Sequence, residues 1–263
     1  MRLRPRHLLA GLALAVLTAC ATTPTGRQQF IMVSDSDMNQ MGAAAFDQIK
    51  SSGRVANDPA KSRYVSCVAN ALIAQLPEPY RSQRWEVVLI ADNSANAFAL
   101  PGNKVGVHTG LLTLANTQDQ LAVVIGHELG HVIARHAAER VSQKFATDTA
   151  LQVLNSATGG ERQQMLGLLG VGAQAGIALP FSRLHENEAD ELGQRYMAQA
   201  GFDPRAAAQL WQKMAQQGGA RPPALLSTHP DPVQRIQRMA ANAPSLVPVY
   251  ESARAAGRRP NCR

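Results

Sequence analysis

This 263-residue sequence lacks several features, and each absence narrows what the protein can be. No apolar run is long enough to cross a bilayer: Leu8 to Leu17 falls well short of the roughly 20 residues a spanning helix needs. Met165 to Leu179 is also too short, and Gly167, Gly170, Gly172 and Gly176 make it a poor isolated helix. Aromatic residues are sparse and are not interleaved with basic ones, which argues against nucleic acid as a partner. Dense histidine and cysteine tracts are missing, which excludes a metal store, and no repeat of fixed period points to a solenoid. Acidic residues number 19 against 26 basic ones.

Part of that basic excess belongs to the first residues. A basic start (Arg2, Arg4, Arg6), the apolar run and small residues ending at Cys20 have the order of an export signal. Leu17-Thr18-Ala19-Cys20 resembles the lipobox of bacterial lipoproteins, in which Cys20 is acylated and anchors the chain to a membrane. By resemblance to lipoproteins of enteric type, Ala21 after that cysteine favours the outer membrane, and hence its periplasmic face. Without residues 1–19 the balance is 23 basic to 19 acidic, a net charge of +4. The expected organisation is a leader at 1–19, a lipidated tether at 20–33, one catalytic domain at 34–250 and a solvated basic tail at 251–263. That tail carries Arg254, Arg258, Arg259 and Arg263. Cys67 and Cys262 remain; in an oxidising compartment they can pair, and two free thiols are the alternative.

The chemistry centres on His127-Glu128-Leu129-Gly130-His131. Thr117 and Gln120 have capping-box spacing, Asp119 suits the positive end of a helix dipole, and apolar positions run from Leu121 to Ile133. On such a helix His127 and His131 lie one turn apart on one face, suited to hold one Zn²⁺. Glu128 beside them can take a proton from a water on the metal. A catalytic zinc usually takes three protein ligands, and the best further candidate is Glu186 in Glu186-Asn187-Glu188-Ala189-Asp190. Asp190 shares its helix face and can orient a ligand histidine through the other ring nitrogen, whereas Glu188 points away. His136 is off the shared face and is excluded as a ligand; His108 and His185 read as structural or exposed.

Around this motif, helices are expected over Ser34 to Lys50, from Pro59 to Leu76, from Glu186 to Ala200, from Asp203 to Gln216 and from Asp231 to Ala240. Phe145 to Leu154 reads as helix or loop. Trp85–Ile90, Ala95–Leu100 and Lys104–Thr109 read as short strands directly before the motif helix. The expected fold is therefore α+β and mainly helical, with a small sheet beside the motif helix. An edge strand there could pair with a peptide substrate, and core sheet is the alternative.

The motif, Ser182-Arg183 with Glu186-x-x-Ala189-Asp190, Asn96-Ala97-Phe98-Ala99-Leu100-Pro101-Gly102 and Val107-His108-Thr109-Gly110-Leu111 together resemble the zinc metalloendopeptidases of the HtpX and CAAX-prenyl-protease family. The lipid signal resembles that family's soluble periplasmic, LoiP-like lipoprotein branch. The resemblance implies a gluzincin-type fold, one zinc held by His127, His131 and Glu186, and Glu128 as catalytic base. It makes Asn96, Ala97 and Phe98 candidates for the substrate-binding strand. His229 resembles a histidine of this branch that can approach the metal, to stabilise an oxyanion or to close the site; a plain turn histidine before proline is the alternative. Arg183 can pair with an acid near the site, position substrate or form a structural ion pair. The implied substrates are unfolded or misassembled envelope proteins, with outer-membrane assembly machinery as a possible partner. A zinc-containing chaperone or assembly factor with little proteolysis is the competing function.

Overall fold

The computed structural model describes residues 20–157, 182–216, 224–229 and 232–263. The expected leader and the glycine-interrupted run at 165–179 lie outside the described residues. The chain opens with an antiparallel hairpin, β1 (Cys20–Thr22) and β2 (Gln28–Phe30). The stretch expected as a tether is thus folded onto the domain. Arg27 ion-pairs with Glu139 and Glu188, and Ser142 Oγ accepts the amides of Met32 and Val33 at 2.8 and 3.3 Å. A short run of threonines, proline and glycine reads as a linker because partners more than a hundred positions away leave no local signal.

Two capped helices follow. Ser34 accepts the Asp37 amide at the start of α1 (Asp35–Ser51), and Asp58 accepts the Lys61 amide at the start of α2 (Pro59–Ile73). β3 (Glu86–Ile90), β4 (Ala97–Leu100) and β5 (Lys104–His108) form one sheet with β5 in the middle, parallel to β3 and antiparallel to β4. Gly102 and Asn103 both take left-handed backbone (φ 81° and 62°), which closes the β4–β5 turn. The short α3 (Leu111–Leu114) leads into the motif helix, α4 (Gln118–Ile133), where Thr117 Oγ1 accepts the Gln120 amide and Gln120 Oε1 accepts the amide of Asn116. Burial on nearly every side makes α4 the axis of the core.

Arg135, at φ 58°, turns the chain sharply into α5 (His136–Ala157), a continuous helix where helix or loop was expected. The helix α6 (Arg183–Ala200) starts at its Ser182 cap and stops at left-handed Gly201. It crosses α4 with little space to spare. A Cβ on Gly193 would sit 2.6 Å from the Gly126 carbonyl carbon, and one on Gly130 would sit 2.7 Å from the Ala189 oxygen. That approach brings the acids of α6 within reach of the histidines of α4.

The chain ends with α7 (Ala206–Gln216), α8 (Ala224–Thr228) and α9 (Pro232–Ala255). A helix ending near Ala240 was expected, yet α9 runs on through Pro244 and Pro248. Burial of Met239, Ala243, Leu246 and Ala253 outweighs the amide bonds those prolines remove. The last residues are not a free solvated tail. Cys262 is bridged to Cys67, Cα to Cα 5.6 Å, and its amide donates to Gln118 Oε1 at 3.0 Å. No helix among the described residues is long and apolar enough to cross a membrane.

Candidate metal centre

The α4–α6 crossing gathers His127, His131, Glu186 and His229 so that one donor atom from each lies within 4.8 Å of the others. All four are buried, and His229 is delivered by the end of α8. His127 Nε2 is 3.0 Å from His131 Nε2 and 3.5 Å from Glu186 Oε2, while Glu186 Oε1 is 3.4 Å from His131 Nε2. His229 Nδ1 lies 2.9 Å from Glu186 Oε1 and 3.1 Å from His127 Nε2.

The other ring nitrogens determine which atoms face inward. His127 Nδ1 donates to Asp190 Oδ1 at 2.8 Å. Arg235 Nη2 comes within 3.1 Å of the same nitrogen, but both are donors, and the Asp190 carboxylate accepts from each. His131 Nδ1 is 2.8 Å from His136 Nδ1, and His136 Nε2 donates to Glu188 Oε2 at 3.0 Å. With both Nδ1 atoms protonated, two Nε2 lone pairs face each other across 3.0 Å with no proton between them, an arrangement that a cation relieves. A tetrahedral ion with bonds of about 2.0–2.1 Å would set its donors about 3.3 Å apart, close to the spacings here.

Charge leads to the same group. Glu128, Glu186 and Asp190 are buried beside the fully buried guanidinium of Arg235. Arg235 grips Asp190 through two nitrogens (2.7 and 2.6 Å) and Glu186 Oε2 through a third (2.7 Å), with its Cζ 3.5 Å above the Trp211 ring. These acids outnumber the guanidinium in contact with them, and a divalent cation would offset the excess. Burial alone would raise the Glu186 carboxyl, but the neighbouring His131, His229 and His127 rings hold it far below its ordinary range. Burial likewise works against Asp190, and the Arg235 charge with the His127 hydrogen bond keeps it low. Burial holds His131 well below its usual value, the neutral state a ligand needs.

Glu128 is different. Its Oε1 is buried without a hydrogen-bond partner among the described residues, 3.4 Å from His229 Nε2, and burial pushes its carboxyl upward against the pull of His229 and His127. A buried, under-bonded carboxylate next to a metal site has the properties of a general base. The Ala99 amide of β4 also hydrogen-bonds it. β4 is an edge strand: the His108 amide donates to Asn96 O, so Ala97 and Ala99 turn their backbone groups outward. Part of that edge is covered, because Leu225 N donates to Ala95 O at 3.2 Å. Phe98 instead lies over Gly106, edge-on to Phe46 and His108. Past His131 a cavity of about 140 Å³ opens between Met38, Met41, Ala45, Tyr80, Ala99 and Val132.

Arg183 is exposed in the first turn of α6; the cation beside Glu186 and Asp190 is Arg235. Nothing in the spacing of the motif points to Arg235, 45 positions past Asp190. His136 is off the motif's helical face, as its spacing implies, yet the Arg135 turn folds it back against His131. Buried His185 stacks on His136, and Glu188, turned away from the metal donors, is the acid on which His136 rests.

Paired imidazoles, a carboxylate from a neighbouring helix and an under-bonded glutamate beside them make a site that could hold one metal ion. Residues 59–243 match the model of peptidase family M48, and the chain belongs to that family. It is similar to the mitochondrial metalloendopeptidase OMA1 of Schizosaccharomyces pombe, 38% identical over 67% of this chain and 51% of that protein. It is also similar to the beta-barrel assembly-enhancing proteases of Yersinia pestis (32% identical over 79% of this chain and 44% of that protein) and Escherichia coli K12 (31% over 75% and 42%). The chain spans about half the length of the curated relatives it matches.

Proposed function

We propose that this protein is a zinc-dependent metalloendopeptidase that cuts unfolded or misassembled proteins of the bacterial cell envelope. The observation that carries this reading is the pair of Nε2 atoms 3.0 Å apart with Glu186 between them and under-bonded Glu128 alongside. His127, His131 and Glu186 would hold the ion, a ligand set that suits zinc. When bound, zinc supplies Lewis acidity, lowering the pKa of water from 15.7 to about 7 and polarising a carbonyl. Glu128 takes the proton of the attacking water at its carboxylate and passes it to the leaving nitrogen. Asp190 and Arg235 hold His127 in the tautomer that points Nε2 inward. The outward backbone groups of Ala97 and the carbonyl of Ala99 bind an extended peptide as an added strand, and the neighbouring cavity takes an apolar side chain.

His229 fills the corner where water and substrate carbonyl would enter, and Leu225 covers part of the β4 edge. This is a closed arrangement. In it the segment 224–229 must move before substrate binds, after which His229 is placed to donate to the oxyanion. The same closure favours a second reading, a zinc-containing chaperone or assembly factor with little proteolysis. We place the protein on the periplasmic face of the outer membrane, anchored through acylated Cys20, with outer-membrane assembly machinery as a partner. The similarity to proteins named beta-barrel assembly-enhancing proteases supports that placement.

The test is metal content and casein cleavage by the purified full chain and by Glu128→Gln. One zinc per chain in both, with cleavage lost only in Glu128→Gln, supports the peptidase. One zinc in both and cleavage in neither favours the chaperone.

A further inference from the structure

The N-terminal hairpin does more than cover the surface. Its Arg27 enters between two buried acids, giving Nη1 and Nη2 to Glu139 at 2.9 and 2.7 Å and Nε to Glu188 Oε2 at 2.9 Å. Thr25 Oγ1 donates to the other oxygen of Glu188. Glu188 Oε2 accepts from His136 Nε2, and His136 Nδ1 meets His131 Nδ1. Chemistry fixes the sense of this chain. An ionised carboxylate only accepts, so the His136 proton sits on Nε2, leaving Nδ1 as an acceptor. His131 must then carry its proton on Nδ1, and its Nε2 lone pair faces the proposed metal position. A His136 ring carrying its proton on Nδ1 would leave His131 protonated on Nε2, where it cannot bind a metal.

We infer that Thr25 and Arg27 of the N-terminal hairpin are positioning residues for the metal centre, acting through Glu188 and His136 to set the tautomer and aim of His131. The inference rests on the metal-site reading above and goes beyond it. It makes the hairpin that follows Cys20 part of what determines metal affinity. Residues that orient metal-bound histidines typically change metal affinity about 10- to 100-fold when replaced. Glu188, which touches His136 directly, falls in that range, and Arg27, one contact further out, changes affinity by a smaller factor of about 3 to 10.

The experiment measures zinc affinity by chelator competition on the full chain, with circular dichroism confirming that each variant is folded. Glu188→Gln is expected to bind zinc about 10- to 100-fold more weakly, and Arg27→Ala about 3- to 10-fold more weakly. Arg27→Lys is expected to recover part of the loss, since an ammonium reaches one acid but cannot grip both. Gln28→Ala, which removes only the exposed bond from Gln28 to Thr22 on the same hairpin, is expected to match the wild type. Cobalt-substituted Glu188→Gln should show shifted visible bands, a change in ligand field that a purely structural role would not produce. Wild-type affinity in folded Glu188→Gln and Arg27→Ala overturns the inference, as does an equal loss in Gln28→Ala. A wild-type chain that binds zinc without cutting casein sinks the peptidase reading instead, and the affinity comparison still decides the role of the hairpin.

Discussion

The two histidines of the motif are one turn apart on one helix, yet they are held in different ways. His127 rests directly on Asp190, which Arg235 clamps through two bonds from within the core. His131 rests on another histidine, which rests on Glu188, and that acid is held by a hairpin from the start of the chain. The first support is short, charged and enclosed by α6 and α9. The second is longer, has a neutral ring in its middle and ends in an arginine about a quarter exposed. One imidazole is therefore fixed by the core and the other by a peripheral segment. Disturbances at the edge of the molecule should reach the proposed metal site through His131 before they reach it through His127.

The change expected to have the largest effect is on the His127 side. Arg235→Met removes the guanidinium that Glu186 and Asp190 share and strands two buried carboxylates, so urea denaturation should show a loss of about 3–5 kcal/mol. A smaller penalty would mean that the His127 support is no more rigid than the other. Gly193→Ala tests the crossing on which both supports depend. With the added methyl 2.6 Å from the Gly126 carbonyl carbon, the helices must separate, and a stability loss of about 2–3 kcal/mol with metal affinity lowered is expected. Asp190→Asn retains shape but loses charge at His127. Zinc affinity should fall at least tenfold, about 1.4 kcal/mol, measured by the same chelator competition, and by more than Arg27→Ala lowers it.

The smallest effect belongs to the hairpin and depends on pH. Burial would raise the Glu139 carboxyl, but the hydrogen bond from Arg27 holds it below its ordinary 4.5. A carboxylate with a lowered folded pKa stabilises fully above the unfolded value and loses that contribution as pH falls through the folded one. Glu139→Gln should therefore be less stable than the wild type by about 1 kcal/mol at neutral pH. That gap should close as the pH drops below 4.5, which thermal melts across pH 3 to 7 would reveal. A gap that persists in acid would show that Glu139 contributes by packing and not by charge.

The two supports also differ in how legible they were. Asp190 is four residues from Glu186 on one helix, and helical periodicity alone put both on the same side. The capping of α4 by Thr117 and the three short strands were equally local. The linkage from Arg27 to His131 was not, because it depends on the left-handed turn at Arg135 and on contacts spanning 112 and 161 positions. The continuation of α9 through two prolines was hidden for the same kind of reason: burial of one face decided it, and local propensity points the other way.

The sequence by itself determined what is set by spacing along one element: a capped helix with two imidazoles and a carboxylate in order, and a second helix with acids one turn apart. Only the tertiary structure decided how those groups are charged, oriented and enclosed. It brought Arg235 under the acids, His229 into the open corner and the hairpin against Glu188. Periodicity is a property of a single helix and is written in its residues. Which distant side chain neutralises a buried charge is fixed only when the helices cross, here at a distance that a methyl group on Gly193 would forbid.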